Sequence, residues 1–178
     1  MLYNLFPKFK IVEINNVAAL RMGHVIAQTP AKVDAIATTE VKAGEEVIAK
    51  FLENGVIAGL NVDAELVNYA AGQPCLIYTE ELITADMTGG LDQFANEFVN
   101  GVVYPRALPL NLGDSFTTNN FKSDAAKEED LPAKAYAVVE NGILKLQESS
   151  ANALFHAVKT DLPAGQIAYE FTYVGKLA

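Results

Sequence analysis

Short strand-like runs separated by glycine turns most strongly constrain how this chain of 178 residues folds. Asn54-Gly55 and Asn141-Gly142 each lie between two runs rich in valine, isoleucine, leucine and aromatic residues. Asn-Gly pairs tolerate the positive φ angles that a two-residue type I′ turn requires. We therefore expect a β-hairpin at each of the two pairs.

The alternation of side chains also indicates strands. Ile167–Val174 places Tyr169, Phe171 and Tyr173 on one face at a period of two. Ala-Gly pairs precede further strand-like segments, and turns at this spacing favour a barrel or a sandwich. Helical patterns are few and short: Asn61–Ala70, Leu91–Val99 and Asp124–Asp130. We predict a mainly β fold, a small barrel or sandwich body with a short extended N-terminal arm and little helix.

Composition excludes several classes of protein. Hydrophobic residues make up 51% of the chain, which is ample for a core, and the longest apolar runs are far below the roughly 20 residues of a membrane span. The net charge of −9 repels phosphate backbones. A single cysteine, Cys75, rules out an internal disulfide framework. We expect neither a membrane nor a nucleic acid as partner.

The charge is distributed unevenly along the chain. Residues 1–32 carry Lys8, Lys10, Arg21 and Lys32 against Glu13, a local balance of +3 that leaves −12 for the rest of a chain of net −9. A basic arm on an acidic body suggests that the arm docks on an acidic protein surface. An exposed end with a few solvated lysines explains the same pattern, and the sequence leaves both interpretations open.

The sequence predicts an N-terminal arm followed by a β body. Residues 1–32 form the N-terminal arm and residues 33–178 the β body, with an irregular insertion at 84–101 and a mobile loop at 122–134. The body is one barrel, or two packed units at 33–121 and 135–178 joined by that loop.

The sequence carries none of the common catalytic motifs. The chain has no Gly-x-Ser-x-Gly elbow, no phosphate-binding glycine loop and no His-Glu-x-x-His pair. His24 and His156 are the only histidines, and Cys75 lies in an apolar strand where a buried, inert thiol is the default interpretation. Alternation makes His156 a strand residue opposite Phe155. We expect no catalytic residue, no metal and no cofactor, and an enzyme remains the weaker alternative.

The segment from Tyr104 to Leu110 is unusual because it is apolar yet interrupted by two prolines. Proline cannot donate to a β-ladder, so the segment suits an edge strand or an extended contact surface. Its arginine, Arg106, needs an acidic partner, either within the fold or across a subunit boundary. We predict a subunit contact formed by Tyr104, Arg106, Leu108 and Leu110.

Several segments of the sequence resemble the auxiliary capsid proteins of tailed bacteriophages. Those proteins decorate the outside of the shell or form head fibres. The resemblance is carried by Leu76–Glu81, Tyr104–Arg106, Leu112–Asn120, Ala135–Leu144 and Leu162–Ala168, and covers residues 76–178. It implies a non-enzymatic virion structural protein, made in the host cytoplasm and located on the capsid surface. The implied partners are the major capsid protein and further copies of the chain, with a homotrimer favoured.

If the resemblance holds, the N-terminal arm is the natural capsid-binding end. The residues expected to contact the shell are basic or apolar: Leu5, Phe6, Lys8, Phe9 and Lys10. The same apolar residues would also suit a first strand within the protein's own core. The rival function is a carbohydrate- or surface-binding β module that stacks sugars on Tyr169 or Tyr173, although the chain has no tryptophan.

Overall fold

The computed structural model describes residues 10–21, 29–32, 35–36, 38–43, 45–78, 98–162 and 165–176. These residues form a mainly β protein, so the predicted fold class is confirmed. Helical structure in them consists of one turn of α-helix and two 3₁₀ turns: α1 (Ala18–Arg21), Tyr69–Ala71 and Glu128–Asp130. None of these elements has the length and apolar character of a membrane-crossing helix.

The strands are short and follow one another along the whole described chain. The first eight are β1 (Val12–Asn16), β2 (Ala31–Lys32), β3 (Thr39–Ala43), β4 (Glu46–Phe51), β5 (Ile57–Leu60), β6 (Leu66–Asn68), β7 (Gln73–Ile77) and β8 (Val102–Val103). The remaining seven are β9 (Ala107–Pro109), β10 (Ser115–Thr118), β11 (Phe121–Lys122), β12 (Lys134–Glu140), β13 (Ile143–Gln147), β14 (Phe155–Leu162) and β15 (Gln166–Tyr173).

Seven strands form the larger sheet, in the order β1-β10-β15-β14-β12-β13-β11. Every neighbouring pair is antiparallel except β11 and β13, which run parallel. The longest ladder joins β14 to β15, from Phe155 opposite Tyr173 to Leu162 opposite Gln166. β1 lies at one edge and is paired with β10, a strand about a hundred residues away along the chain.

The second sheet has six strands, in the order β8-β2-β6-β5-β7-β9. Its two edge strands, β8 and β9, are joined by only the three residues Tyr104–Arg106. A flat sheet of six strands would separate its edges by about 24 Å, whereas the link from Val103 to Ala107 spans at most about 14 Å. The sheet is therefore strongly curled, as a half-barrel. β3 and β4 form a separate hairpin.

Alternation within the six-stranded sheet gives the protein two apolar clusters. Ile57, Leu76 and Leu108 point outward from the curl and pack with the aromatic face of the seven-stranded sheet. Their neighbours Ala58 and Cys75 belong to a second cluster inside the curl. The central strands are thus buried on both faces, which explains their nearly continuous apolar sequences.

The two predicted Asn-Gly hairpins have different outcomes. Asn141 and Gly142 both have positive φ, at 50° and 80°, and Glu140 pairs with Ile143 across them, so this hairpin is confirmed. The hairpin predicted at Asn54-Gly55 is wrong. β4 pairs back with β3, and β5 pairs with β6 and β7, so the chain turns at Gly55 from one sheet to another.

The predicted arm and body boundary also differs from the structure. Within residues 1–32, β1 is a strand of the seven-stranded sheet and β2 a strand of the curled sheet, so both are part of the body. This happens because β1 finds its partner in the distant β10. Residues 1–9 and 22–28 of the predicted arm lie outside the described residues.

The division of the body at the loop 122–134 is not seen. β10 precedes this loop and β11 includes its first residue, yet both belong to the same sheet as β12–β15. The loop itself is present, and it is attached to the sheet where the Tyr169 hydroxyl donates to the carbonyl of Pro132 at 2.6 Å. The helix considered at Asn61–Ala70 is replaced by a turn, β6 and a 3₁₀ turn. Most of the predicted insertion, 84–101, and of the helix at 91–99 lies outside the described residues.

Candidate functional site

Of the three side chains considered for catalysis, the structure describes Cys75 and His156. Cys75 is fully buried inside the curled sheet, and desolvation raises the pKa of its thiol to about 12. His156 is exposed on the outer face of β14, opposite the buried Phe155 as predicted, and its ring meets that of Tyr136 at 5.2 Å. His24 lies outside the described residues. Among those described, no three His, Cys, Asp or Glu side chains come together as metal ligands would.

The tyrosines considered for sugar stacking face the core. Tyr169, Phe171 and Tyr173 share one face of β15, as the alternation predicted. Tyr169 has no exposed surface, and Tyr173 packs against the same cluster. Burial also raises the pKa of the Tyr169 phenol. Tyr169 is therefore unable to offer its ring to a ligand on the surface of the folded protein.

Of the four residues predicted to form a subunit contact, two are buried and two are exposed. β8 and β9 are the two edges of the curled sheet, so the expectation of an edge position is confirmed. Leu108 and Leu110 are buried in the protein's own core, at 0% and 3% exposure, and the prediction that they face a second subunit is wrong. Tyr104 is 62% exposed, and Arg106 is also exposed.

Of the predicted capsid-binding residues, the structure describes only Lys10; Leu5, Phe6, Lys8 and Phe9 lie outside the described residues. Lys10 is half-buried and lies two residues before β1. It lines a cleft of about 380 Å³ where the seven-stranded sheet meets the turn at Asn54-Gly55. We call this the junction cleft. Its lining residues are Lys10, Thr38, Glu53, Val56, Asn120, Phe121, Lys122, Asn141 and Ile143.

The floor of the junction cleft is held by hydrogen bonds between the two sheets. The amide of Asn120, which is 3% exposed, donates to the carbonyl of Asn54 at 2.7 Å. Nearby, the backbone N–H of Ile57 donates to the carbonyl of Gly142 at 2.8 Å. These bonds tie the Asn54-Gly55 turn to the hairpin of β12 and β13, so the walls of the cleft are fixed relative to each other.

Close packing adds to this rigidity. Gly55 has a φ of +83°, and a Cβ there would lie 2.8 Å from the Thr118 hydroxyl oxygen and 3.0 Å from Cβ of Asn120. Glycine is therefore required both by the backbone conformation and by the approach of the other sheet. On the opposite wall, the Phe121 ring makes an edge contact with the buried Tyr169 ring at 5.0 Å.

The junction cleft carries an excess of positive charge. Two lysines, Lys10 and Lys122, line it together with one carboxylate, that of Glu53, within a chain of net charge −9. The ion pairs formed between described residues involve Lys32, Lys50, Lys127 and Lys145, and none involves Lys10 or Lys122. The two ammonium groups are thus open to an anionic group entering the cleft.

Sequence reasoning identified Lys10 but missed the other residues of the cleft. They come from separate segments, before β3, around Gly55, along β11 and at the Asn141 turn, so no spacing along the chain connects them. A third Asn-Gly turn was also missed. Asn100 and Gly101 have φ values of 53° and 78°, and Val99 and Val102 exchange backbone hydrogen bonds across them. The dipeptide alone would have indicated that turn.

Comparison of the chain with protein-family models, with curated proteins and with solved structures gave no match.

Proposed function

We propose that this chain is a non-enzymatic structural protein that binds the outside of a bacteriophage capsid, as a decoration protein or as the base of a head fibre. In this proposal the two-sheet body is the projecting unit. The basic segment, residues 1–11 before β1, attaches it to the major capsid protein. The observation that carries the proposal is that the chain joins the edge of the seven-stranded sheet at β1, just after Lys10, which lines a positively charged cleft.

The sequence segments that resemble auxiliary capsid proteins form strands and connections of the two sheets. Leu112–Asn120 contains β10, which joins β1 to the rest of the seven-stranded sheet. Ala135–Leu144 contains most of β12 and the Asn141 turn, and Tyr104–Arg106 links the two edges of the curled sheet. A resemblance that falls on framework residues supports a structural role. Burial of the Cys75 thiol, with its raised pKa, supports the same interpretation.

The basic segment is firmly anchored where it enters the body. Val12, Glu13 and Ile14 pair with β10 in an antiparallel ladder. The backbone N–H of Ile11 donates to the side-chain oxygen of Asn119 at 2.8 Å, and the Thr118 hydroxyl donates to the carbonyl of Ile11 at 2.6 Å. The chain from Ile11 onward is therefore bonded to the seven-stranded sheet, as the attachment point of a projecting body requires.

The proposed homotrimer would use the exposed part of the segment between β8 and β9. Tyr104 and Arg106 lie on the surface, while Pro105 between them is buried. Tyrosine and arginine are enriched in protein interfaces, where they combine apolar contact area with hydrogen bonding. These two residues replace the four-residue contact predicted from the sequence.

Removal of residues 1–9 tests the proposed function. We expect the full-length chain to co-sediment with heads of the phage that encodes it, and the chain beginning at Lys10 to lose that binding while keeping its melting temperature. The truncation retains Lys10 and all of β1, so the pairing of β1 with β10 is not cut. The same loss is expected, in milder form, for Lys8→Glu.

Lys127→Glu is the matched control, because Lys127 is an exposed lysine whose ion pair with Glu129 is equally exposed. We expect this variant to bind like the original chain, and we expect added salt to weaken binding of both. Undiminished co-sedimentation of the truncated chain would overturn the role of the N-terminal segment. Absence of binding by the full-length chain would overturn the proposed function itself.

A further inference from the structure

We infer that the junction cleft binds an extended acidic segment of the protein on which the chain docks. The identity of that protein as the major capsid protein rests on the proposed function. The preference for an acidic peptide rests on the cleft alone and is testable without any capsid. The two proposals can therefore fail independently.

The charges of the cleft select the ligand. The ammonium groups of Lys10 and Lys122 form no ion pair with a described residue, although the chain has 22 acidic residues. Glu53 is the one carboxylate among the lining residues. A peptide carboxylate entering the cleft would be attracted by two ammonium groups and repelled by one carboxylate, whereas a basic side chain there would meet the reverse.

The rest of the lining suits an extended backbone with apolar side chains beside the acidic ones. Val56 is buried, and Phe121 and Ile143 are half-buried, so the cleft offers apolar walls. The exposed Asn141 amide can donate to and accept from a peptide group. Among the described strands, β11 has β13 as its only neighbour, so an extended segment can lie along its other edge.

The size and rigidity of the cleft agree with a ligand of a few residues. Its volume of about 380 Å³ lies near the lower end of the range of about 300–1,000 Å³ that is usual for ligand pockets. Hydrogen bonds from Asn120 to Asn54 and from Ile57 to Gly142 fix its walls before binding. Because the walls are already held in place, binding costs little conformational entropy of the protein, which favours affinity.

The test uses the full chain and a fluorescein-labelled peptide of sequence Asp-Ile-Glu-Val-Asp, with binding measured by fluorescence anisotropy at low ionic strength. The matched peptide Asn-Ile-Gln-Val-Asn carries the same label and has side chains of the same shape, but it lacks the three side-chain carboxylates. We expect the acidic peptide to bind at least about fivefold more tightly than the neutral one. Lys122→Glu should weaken binding of the acidic peptide by about fivefold or more, and Glu53→Gln should strengthen it.

Lys134→Glu is the control variant, because Lys134 is exposed and lies about 20 Å along β12 from the Asn141 turn. It makes the same change of net charge as Lys122→Glu, and we expect it to change the affinity by less than twofold. Equal binding of both peptides, or equal weakening by Lys122→Glu and Lys134→Glu, would overturn the inference.

Co-sedimentation with phage heads separates this inference from the proposed function. Loss of head binding by Lys122→Glu, with Lys134→Glu unaffected, supports both proposals. Undiminished head binding by Lys122→Glu would overturn the role of the cleft in docking and leave the proposed function standing. Selective binding of the acidic peptide by a chain that does not bind heads would support the cleft and overturn the proposed function.

Discussion

Phe116→Ala is expected to lower the free energy of unfolding by about 3–5 kcal/mol, enough to unfold a marginally stable domain. Phe116 has no exposed surface and lies in β10, between β1 and β15. Its ring contacts those of Phe155 and Phe171, with centroids 6.0 Å and 5.9 Å away. Truncation would leave a cavity in the cluster that joins the two sheets. Denaturant unfolding followed by circular dichroism measures the loss.

Phe121→Ala is the matched control, because it removes the same atoms from a half-buried position on β11. We expect it to cost roughly half as much, since part of the Phe121 ring already contacts water. Equal losses for the two variants would contradict the packing described for β10. If Phe116→Ala does not fold, Phe116→Leu provides a milder version of the same comparison.

Gly72→Ala should destabilise the protein by about 3 kcal/mol or more, a large effect for one methyl group. Gly72 follows the 3₁₀ turn Tyr69–Ala71 and has extended backbone angles that any residue adopts. The obstacle is steric: a Cβ there would overlap the carbonyl of Leu60 and lie 2.9 Å from its nitrogen. These are backbone atoms of β5, so no side-chain rotation relieves the contact.

Gly113→Ala provides the contrast, since it involves backbone conformation without crowding. Gly113 has a φ of +90°, and a Cβ there would meet no atom within 4 Å. We expect a loss of about 1 kcal/mol from the left-handed backbone conformation alone. Thermal unfolding of the two variants compares the mechanisms directly. A smaller loss of stability in Gly72→Ala than in Gly113→Ala would contradict the close approach of the Leu60 backbone to Gly72.

Features set by neighbouring residues were predictable from the sequence. The Asn141-Gly142 hairpin was predicted because the turn and both of its strands are consecutive, and local backbone preference decides the outcome. The common face of Tyr169, Phe171 and Tyr173 on β15 was predicted because alternation reports it directly, whereas the burial of that face was not predicted. Such features depend on a few adjacent residues and not on the choice of a distant partner.

Features set by distant partners were not predictable. Asn54-Gly55 has the same dipeptide as Asn141-Gly142, yet β4 and β5 pair with other strands. The early chain was assigned to an arm because nothing near β1 indicates its pairing with β10. Leu108 was placed on the surface because proline suggested an edge strand. β9 is an edge strand, but both its faces are covered by packing.

The junction cleft illustrates the same limit for function. The charge count of residues 1–32 pointed to Lys10, but Lys122 and Glu53 are brought beside it only by the meeting of the two sheets. In the proposed function, Lys10 and the junction cleft lie at the docking end of the body. The side of the body farthest from Lys10 and the junction cleft is expected to face solvent on the virion.

Cryo-electron microscopy of phage heads with and without the bound chain tests this account most directly. We predict additional density on the outer surface of the shell, with the two-sheet body oriented so that Lys10 and the junction cleft face the major capsid protein. No additional density at saturating protein would contradict the capsid-binding function. Additional density with the junction cleft turned away from the shell would contradict the proposed mode of attachment.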